Sequence, residues 1–260
     1  MAQAVAPSGQ GRPEVTIYWQ PSCSSCLKAK EFVASLGVAF ESLNVRENPD
    51  ALEEIMAAGL RGVPVVRKGD KFVYAQSLDD LAALFGTTRK QSSLPKQVLV
   101  DRWVDIQEKA RVVIESFDAT ALDQKLAARG PHATIKELAE HAFQVIESFL
   151  RQVEDDTIDA RAIYLHPDET IRTRQDLLNY VDGIQREYAT WRANGGPEAM
   201  PARLNTHYGN QLSDRVLERG VWHMAQHARQ LDHLAADMGG ALRIPAALYE
   251  GLPLPESLWT

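Results

Sequence analysis

Hydrophobic periodicity changes once along this chain of 260 residues, and the change calls for two differently built halves. Beyond residue 95 the apolar residues step by three and four. Leu99, Trp103, Ile106, Ala110, Val113 and Phe117 make one stripe, and Leu177, Val181, Ile184, Tyr188 and Trp191 another. Residues 134–153 form a third segment, opened by Thr134 and Glu137 at capping-box spacing, and the fourth runs from about Gln211 to Met238. No convincing strand interrupts them. Four amphipathic helices must bury their stripes against one another, and a four-helix bundle is the simple way to do it. Residues 14–85 instead alternate short apolar runs with helical patterns. Strands are expected at Glu14–Trp19, Ala39–Val45, 63–66 and 71–74, the last two joined by a Gly69-Asp70 turn. Helices are expected at Ser24–Leu36, Asp50–Ala58 and Leu78–Phe85. That order, βαβαββα, predicts a small mixed sheet covered by helices.

The patterns meet at TTRKQSSLP, residues 87–95, a polar stretch ended by proline that we take as a linker. The expected organisation is a disordered leader at 1–13, an α/β domain at 14–86, the linker, an all-α domain at 96–240, and a Pro- and Gly-rich tail at 241–260 packed in extended form. A net charge of -7 with no basic stripe argues against a nucleic-acid partner. No apolar run approaches the ~20 residues that span a bilayer, so no membrane association is expected. The N-terminus MAQAVAPSGQGRPE lacks the charged start and apolar core of a signal peptide, so a cytoplasmic protein is expected. A reducing cytoplasm argues against a structural disulfide.

That matters because the chain's two cysteines stand three apart, in Cys23-Ser24-Ser25-Cys26, between the first strand and the first helix. The free N–H groups and dipole of a helix N-terminus stabilise a thiolate, and Lys28 and Lys30 add positive potential. Cys23, nearer the exposed end, is the expected nucleophile, and Cys26, one turn further in, the expected resolving thiol. A zinc site would need a second ligand pair near by, and the chain has no other cysteine.

Across residues 14–86 the chain resembles glutaredoxins, in IYWQPSCSSCLKAKEFV, in GVPVV at 62–66 and in SLDDL at 77–81. The resemblance implies a thioredoxin-like fold and a thiol-disulfide oxidoreductase acting on a disulfide substrate, with glutathione or another small thiol as co-substrate. It implies that Pro64 is a cis-proline facing the cysteines and that the backbone of Val63 meets the substrate thiol. It also implies that Ser77, Leu78 and Asp79 hold glutathione carboxylates at a helix start. The family's glycine pair before that helix is absent here, and its CPYC core reads CSSC. The cysteine segment is also similar to arsenate reductase and Spx-like proteins, but their inserted helical subdomain has no room between Cys26 and Pro64.

Seven histidines raise a second possibility. In the last helix His223 and His227 share a stripe with Leu212, Val216, Gly220, Leu231, Leu234 and Met238, so they point into the bundle. His141 lies beside the stripe of Leu138, Val145 and Phe149. An i, i+4 pair with a third histidine across the bundle suits a metal with an open position, although inward histidines also serve as hydrogen-bonded core residues. His233 is expected at the surface, His132 and His166 in loops beside prolines, and His207 at the surface or a pocket mouth.

LAEHAFQVIESFL and RGVWHMAQHARQLDHL make residues 94–240 similar to the DinB-like family. That resemblance implies a three-His metal site of His141, His223 and His227. The ion would be divalent, zinc first and nickel or iron next, and relatives use low-molecular-weight thiols. The joint expectation is a glutaredoxin-type oxidoreductase fused to a metal-binding bundle that binds or transfers a small thiol. A metal-dependent thiol S-transferase protected by the cysteine pair, and a non-catalytic redox or metal sensor, are the rival readings. The bundle could also carry a homodimer contact.

Overall fold

The computed structural model describes residues 13–89, 93–127 and 133–259. The expected leader, His132 and the middle of the expected linker lie outside the described residues, apart from Pro13. Packing divides the chain into a first unit, Met1–Ser92 with Pro255–Thr260, and a second, Ser93–Leu254. Among the described residues, no helix is long and apolar enough to cross a membrane.

The first unit is α/β and thioredoxin-like. Its strands β1 (Val15–Trp19), β2 (Glu41–Asn44), β3 (Val65–Lys68) and β4 (Lys71–Tyr74) form one sheet in the order β2-β1-β3-β4. β1 runs parallel to β2 and antiparallel to β3, and β3 pairs with β4 across the Gly69-Asp70 turn. Gly69 sits at φ 56°, which glycine adopts without steric cost. The alternation along β1 assigns its faces. Val15, Ile17 and Val66 pack with Ala29 and Val33 of α1 (Ser24–Ser35) and Leu81 of α3 (Leu78–Leu84). Tyr18 and Val65 pack with Ala51 and Ile55 of α2 (Pro49–Ala57) on the other face. β3 begins at Val65, two residues later than expected. Pro64 has no N–H to give to a ladder, and the first register pair is Tyr18 with Val65.

The second unit is mostly helical. Its long helices are α4 (Lys96–Ser116), α6 (Ile135–Glu154), α7 (Arg174–Ala193) and α8 (Ser213–Asp237), with a single turn, α5 (Ala119–Leu122), between the first two. α4 and α6 each pack on both α7 and α8, which closes a four-helix bundle. Thr134 and Glu137 form the full capping box at the start of α6, and Thr173 with Asp176 repeats it at α7. Trp103 of α4 sits at the centre, fully buried. Its ring centroid lies 5.1 Å from that of Phe149 on α6 and 5.2 Å from that of Tyr188 on α7, and its Nε1–H points at Met224 Sδ on α8, 3.2 Å away.

Two features depart from the sequence reading. An antiparallel hairpin, β5 (Arg203–Thr206) and β6 (Gly209–Leu212), precedes α8, with a turn at His207 and Tyr208 and Gly209 at φ 111°. Leu204 and Gln211 are its buried strand residues, too few to produce a visible alternation. The tail is also not extended throughout, since Ala246–Tyr249 make a short 3-10 helix. The tail is tied by polar groups: the Asp232 carboxylate accepts the N–H groups of Arg243 and Ile244 at 2.9 Å each, and the Arg102 guanidinium donates to the carbonyls of Leu248 and Glu250.

Candidate functional site

β1 ends at Trp19, and the chain turns through Ser22, whose φ of 67° is uncommon for a residue with a side chain. The turn delivers Cys23 to the N-cap of α1. There Cys23 Sγ accepts the N–H of Cys26 at 3.1 Å, so a helix-end donor already serves that sulfur. The two cysteines are bonded as a disulfide with Cα atoms 5.1 Å apart. Cys23 is half-buried and Cys26 wholly buried, so an incoming sulfur has better access to Cys23. The first turn of α1 carries no acidic residue to oppose a thiolate. Lys30 lies over the Trp19 ring, 3.2 Å from its centroid, and burial pushes its ammonium down to about 8. Burial also lowers Lys28, against the pull of Glu31 and Glu256. Main-chain N–H groups of Glu256 and Ser257 donate to the Glu31 carboxylate at 2.9 and 3.2 Å.

The Val63–Pro64 peptide is cis. Because β1 and β3 are antiparallel and Tyr18 pairs with Val65, Pro64 lies at the sheet end where β1 passes into the cysteine turn. Ser77 caps α3, its hydroxyl accepting the N–H of Asp80 at 3.2 Å, and Leu78 and Asp79 form the first turn behind it. Sequence reasoning missed Gln76. Its buried side-chain amide donates to the Val63 carbonyl at 3.0 Å and so fixes the peptide just before Pro64, while its Oε1 is buried without a hydrogen bond. The signal was a long amide standing where the resemblance leads one to expect a glycine pair.

A family model described as Glutaredoxin matches residues 15–73. The glutaredoxin-like protein NrdH of Lactococcus lactis subsp. lactis is 32% identical over 56 residues, 22% of this chain and 78% of that protein. The NrdH proteins of Salmonella typhimurium and Escherichia coli K12 are 41% and 39% identical over 56 residues, 22% of this chain and 69% of each relative. The chain belongs to the glutaredoxin family. It does so through its first unit, because the family match ends at residue 73, well before α4 begins. No solved structure matches the chain.

In the second unit, α6 brings His141 opposite His223 and His227, one turn apart on α8. The ring centroid of His141 lies 5.6 Å from that of His223 and 4.8 Å from that of His227, and those of His223 and His227 are 4.9 Å apart. One ligand atom from each ring falls within 4.8 Å of the others. His227 is wholly buried and His223 nearly so. His227 Nδ1 lies 2.8 Å from Gln230 Oε1. An amide oxygen only accepts, so the ring donates from Nδ1 and carries its lone pair on Nε2. The set therefore fits a metal in donor type and in convergence. Tetrahedral coordination by imidazole wants nitrogens about 3.4 Å apart, so the rings would draw inward. Beside His141, burial raises Glu140 to about 7, although its Oε1 accepts the N–H of Asp168 at 2.5 Å and Gln144 Nε2 at 2.8 Å.

The other described histidines lie elsewhere. His166 is exposed and His233 half-buried. His207 is half-buried and lines a cleft that also touches His223.

Proposed function

We propose that this chain couples a glutathione-linked disulfide reductase to a DinB-like, metal-binding bundle that binds or transfers a low-molecular-weight thiol. In the first unit the Cys23 thiolate attacks a disulfide sulfur of the substrate, forming a mixed disulfide and releasing one substrate thiol. The Cys26 thiolate then attacks Cys23 Sγ, releases the second thiol and leaves the Cys23–Cys26 disulfide, which two equivalents of glutathione reduce. Family membership and the placement of Cys23 at the cap of α1, with Cys26 buried behind it, support that order.

The single observation that carries the bundle's role is the convergence of His141, His223 and His227 from two helices. A divalent ion there, zinc first and nickel or iron next, would supply a Lewis-acidic open position that lowers the pKa of a bound thiol. This chain's own contribution is to hold the three rings inside the bundle, with Gln230 fixing the tautomer of His227. The test is metal content by mass spectrometry on untagged protein, beside a His141→Ala, His223→Ala double variant. About one ion per chain, lost in the variant, is the expected result. An intact protein that takes up no zinc, nickel or ferrous iron would make the histidines structural. Glutathione-dependent disulfide reduction, assayed in the same preparations, should persist in the histidine variant and vanish in Cys23→Ser.

A further inference from the structure

A cleft opens in the second unit between α6, α8, the 3-10 segment Ala160–Tyr164 and the β5–β6 turn, and His223 forms part of its wall. Its volume of about 40 Å³ has room for about three water-sized groups, the size of one carboxylate. Arg161 and Arg219 both line it, and no acidic side chain is among the described lining residues. Arg219 lies against the Tyr208 ring, 5.3 Å from its centroid, which orients a planar guanidinium. Gln152 adds a third donor. It is 5% exposed, lines the same cleft, and its buried Nε2 makes no hydrogen bond.

These groups share one electrostatic signature. Two cations beside a shallow apolar wall raise the local potential, and a buried N–H without an acceptor is destabilising. His207 registers the potential. Burial pushes it down to about 3, and Arg219 and Arg161 push in the same direction, so it is neutral at physiological pH. An anion with two acceptor oxygens would satisfy the buried Gln152 amide and meet the two guanidinium groups together. Planar donors in a fork match a carboxylate.

We propose that this cleft binds the carboxylate of a small organic acid, with Arg161 and Arg219 as charge partners and Gln152 as a neutral donor. The rest of the acid then extends along the wall that includes His223. The direction in which the acid is used rests on the metal-centre reading, making the acid the partner of the thiol at that centre. The carboxylate site itself does not.

The test is calorimetric titration of the full, untagged chain with succinate and with its neutral diamide, after chelator treatment and again after zinc loading. Succinate should bind both preparations, weaken as salt rises, and bind at least tenfold more tightly than the diamide. Arg161→Gln and Arg219→Gln should each weaken succinate at least tenfold. Arg219→Lys, which keeps the charge but not the fork, should cost less and guards against loss of folding in the glutamine variant; thermal melting is run on each. Equal binding of succinate and diamide, or no binding of succinate at all, would overturn the proposal. So would succinate binding seen only in zinc-loaded protein and untouched by the arginine substitutions, because the acid would then sit on the ion. Phosphate displacing succinate with higher affinity would overturn the carboxylate assignment. Succinate binding in a protein that takes up no metal would sustain the cleft and sink the metal reading, so the two failures are distinct.

Discussion

Gly220 of α8 tests whether the bundle is as tightly built around Trp103 as its geometry shows. A Cβ added there would lie 2.6 Å from Trp103 Cη2 and 3.3 Å from two more ring carbons, against an ordinary contact of about 3.5–4.0 Å. Two effects of Gly220→Ala oppose each other. Alanine favours a helix interior over glycine by about 1 kcal/mol. Overpacking a filled core costs about 1–3 kcal/mol, and more where the neighbour cannot yield. The Trp103 ring is hemmed by Phe149, Tyr188 and Met224 and is fully buried, so it has nowhere to go. The clash should win, with net destabilisation of about 1–2 kcal/mol, or roughly 2–8 °C in the melting of the helical unit. Separating α8 from α4 should also displace His223, one turn on, and weaken zinc uptake. Urea unfolding followed by tryptophan fluorescence measures the first effect, and competitive chelator titration the second. Trp103→Phe in the same chain removes the offending ring edge, so the pair should show favourable coupling in a double-mutant cycle. A Gly220→Ala protein as stable as the parent, or more so, would refute the reasoning, since helix propensity alone would then decide.

Three further outcomes are expected. Cys23→Ser should abolish disulfide reduction, whereas Cys26→Ser should accumulate a mixed disulfide on Cys23 visible by intact-mass spectrometry; the reverse pattern would exchange the two roles. Glu140 is raised from its ordinary 4.5 to about 7, so the unfolded chain ionises first and stability should fall as pH rises between those values. In metal-free protein Glu140→Gln should therefore flatten that dependence and add about 1–3 kcal/mol at pH 8, since an amide oxygen accepts the same N–H groups. Lys30 has the opposite sign: a cation lowered from 10.5 to about 8 is disfavoured in the folded state, so its contribution to stability should rise with pH across that window. Trp19 emission should titrate near pH 8 in the parent and not in Lys30→Met, and an unchanged titration in that variant would assign the transition to another group.

Much of the fold was written in local pattern. The short apolar run at Val15–Trp19 and the three-and-four steps of Leu99 to Phe117 each concern residues whose burial follows from their own element. The cysteine pair was equally legible, because strand, turn and helix start are contiguous in the chain. The hairpin before α8 was not, for with only Leu204 and Gln211 buried its strands are held by backbone pairing and a Gly209 turn. Gln76 escaped for a related reason: its partner, the Val63 carbonyl, lies thirteen residues away, and only the sheet and the cap of α3 bring them together.

By itself the sequence determined the two architectures, the order of the α/β elements, the cysteines at a helix start and the inward stripe that holds His223 and His227. Tertiary structure alone decided how closely His141, expected from the resemblance, approaches that pair, that Trp103 occupies the space Gly220 leaves open, and that Arg161, Arg219 and Gln152 share one cleft. The division has a physical cause. Periodicity fixes which way a side chain points from its own helix, whereas the meeting of side chains from different elements depends on how those elements pack, and packing is a property of the whole core.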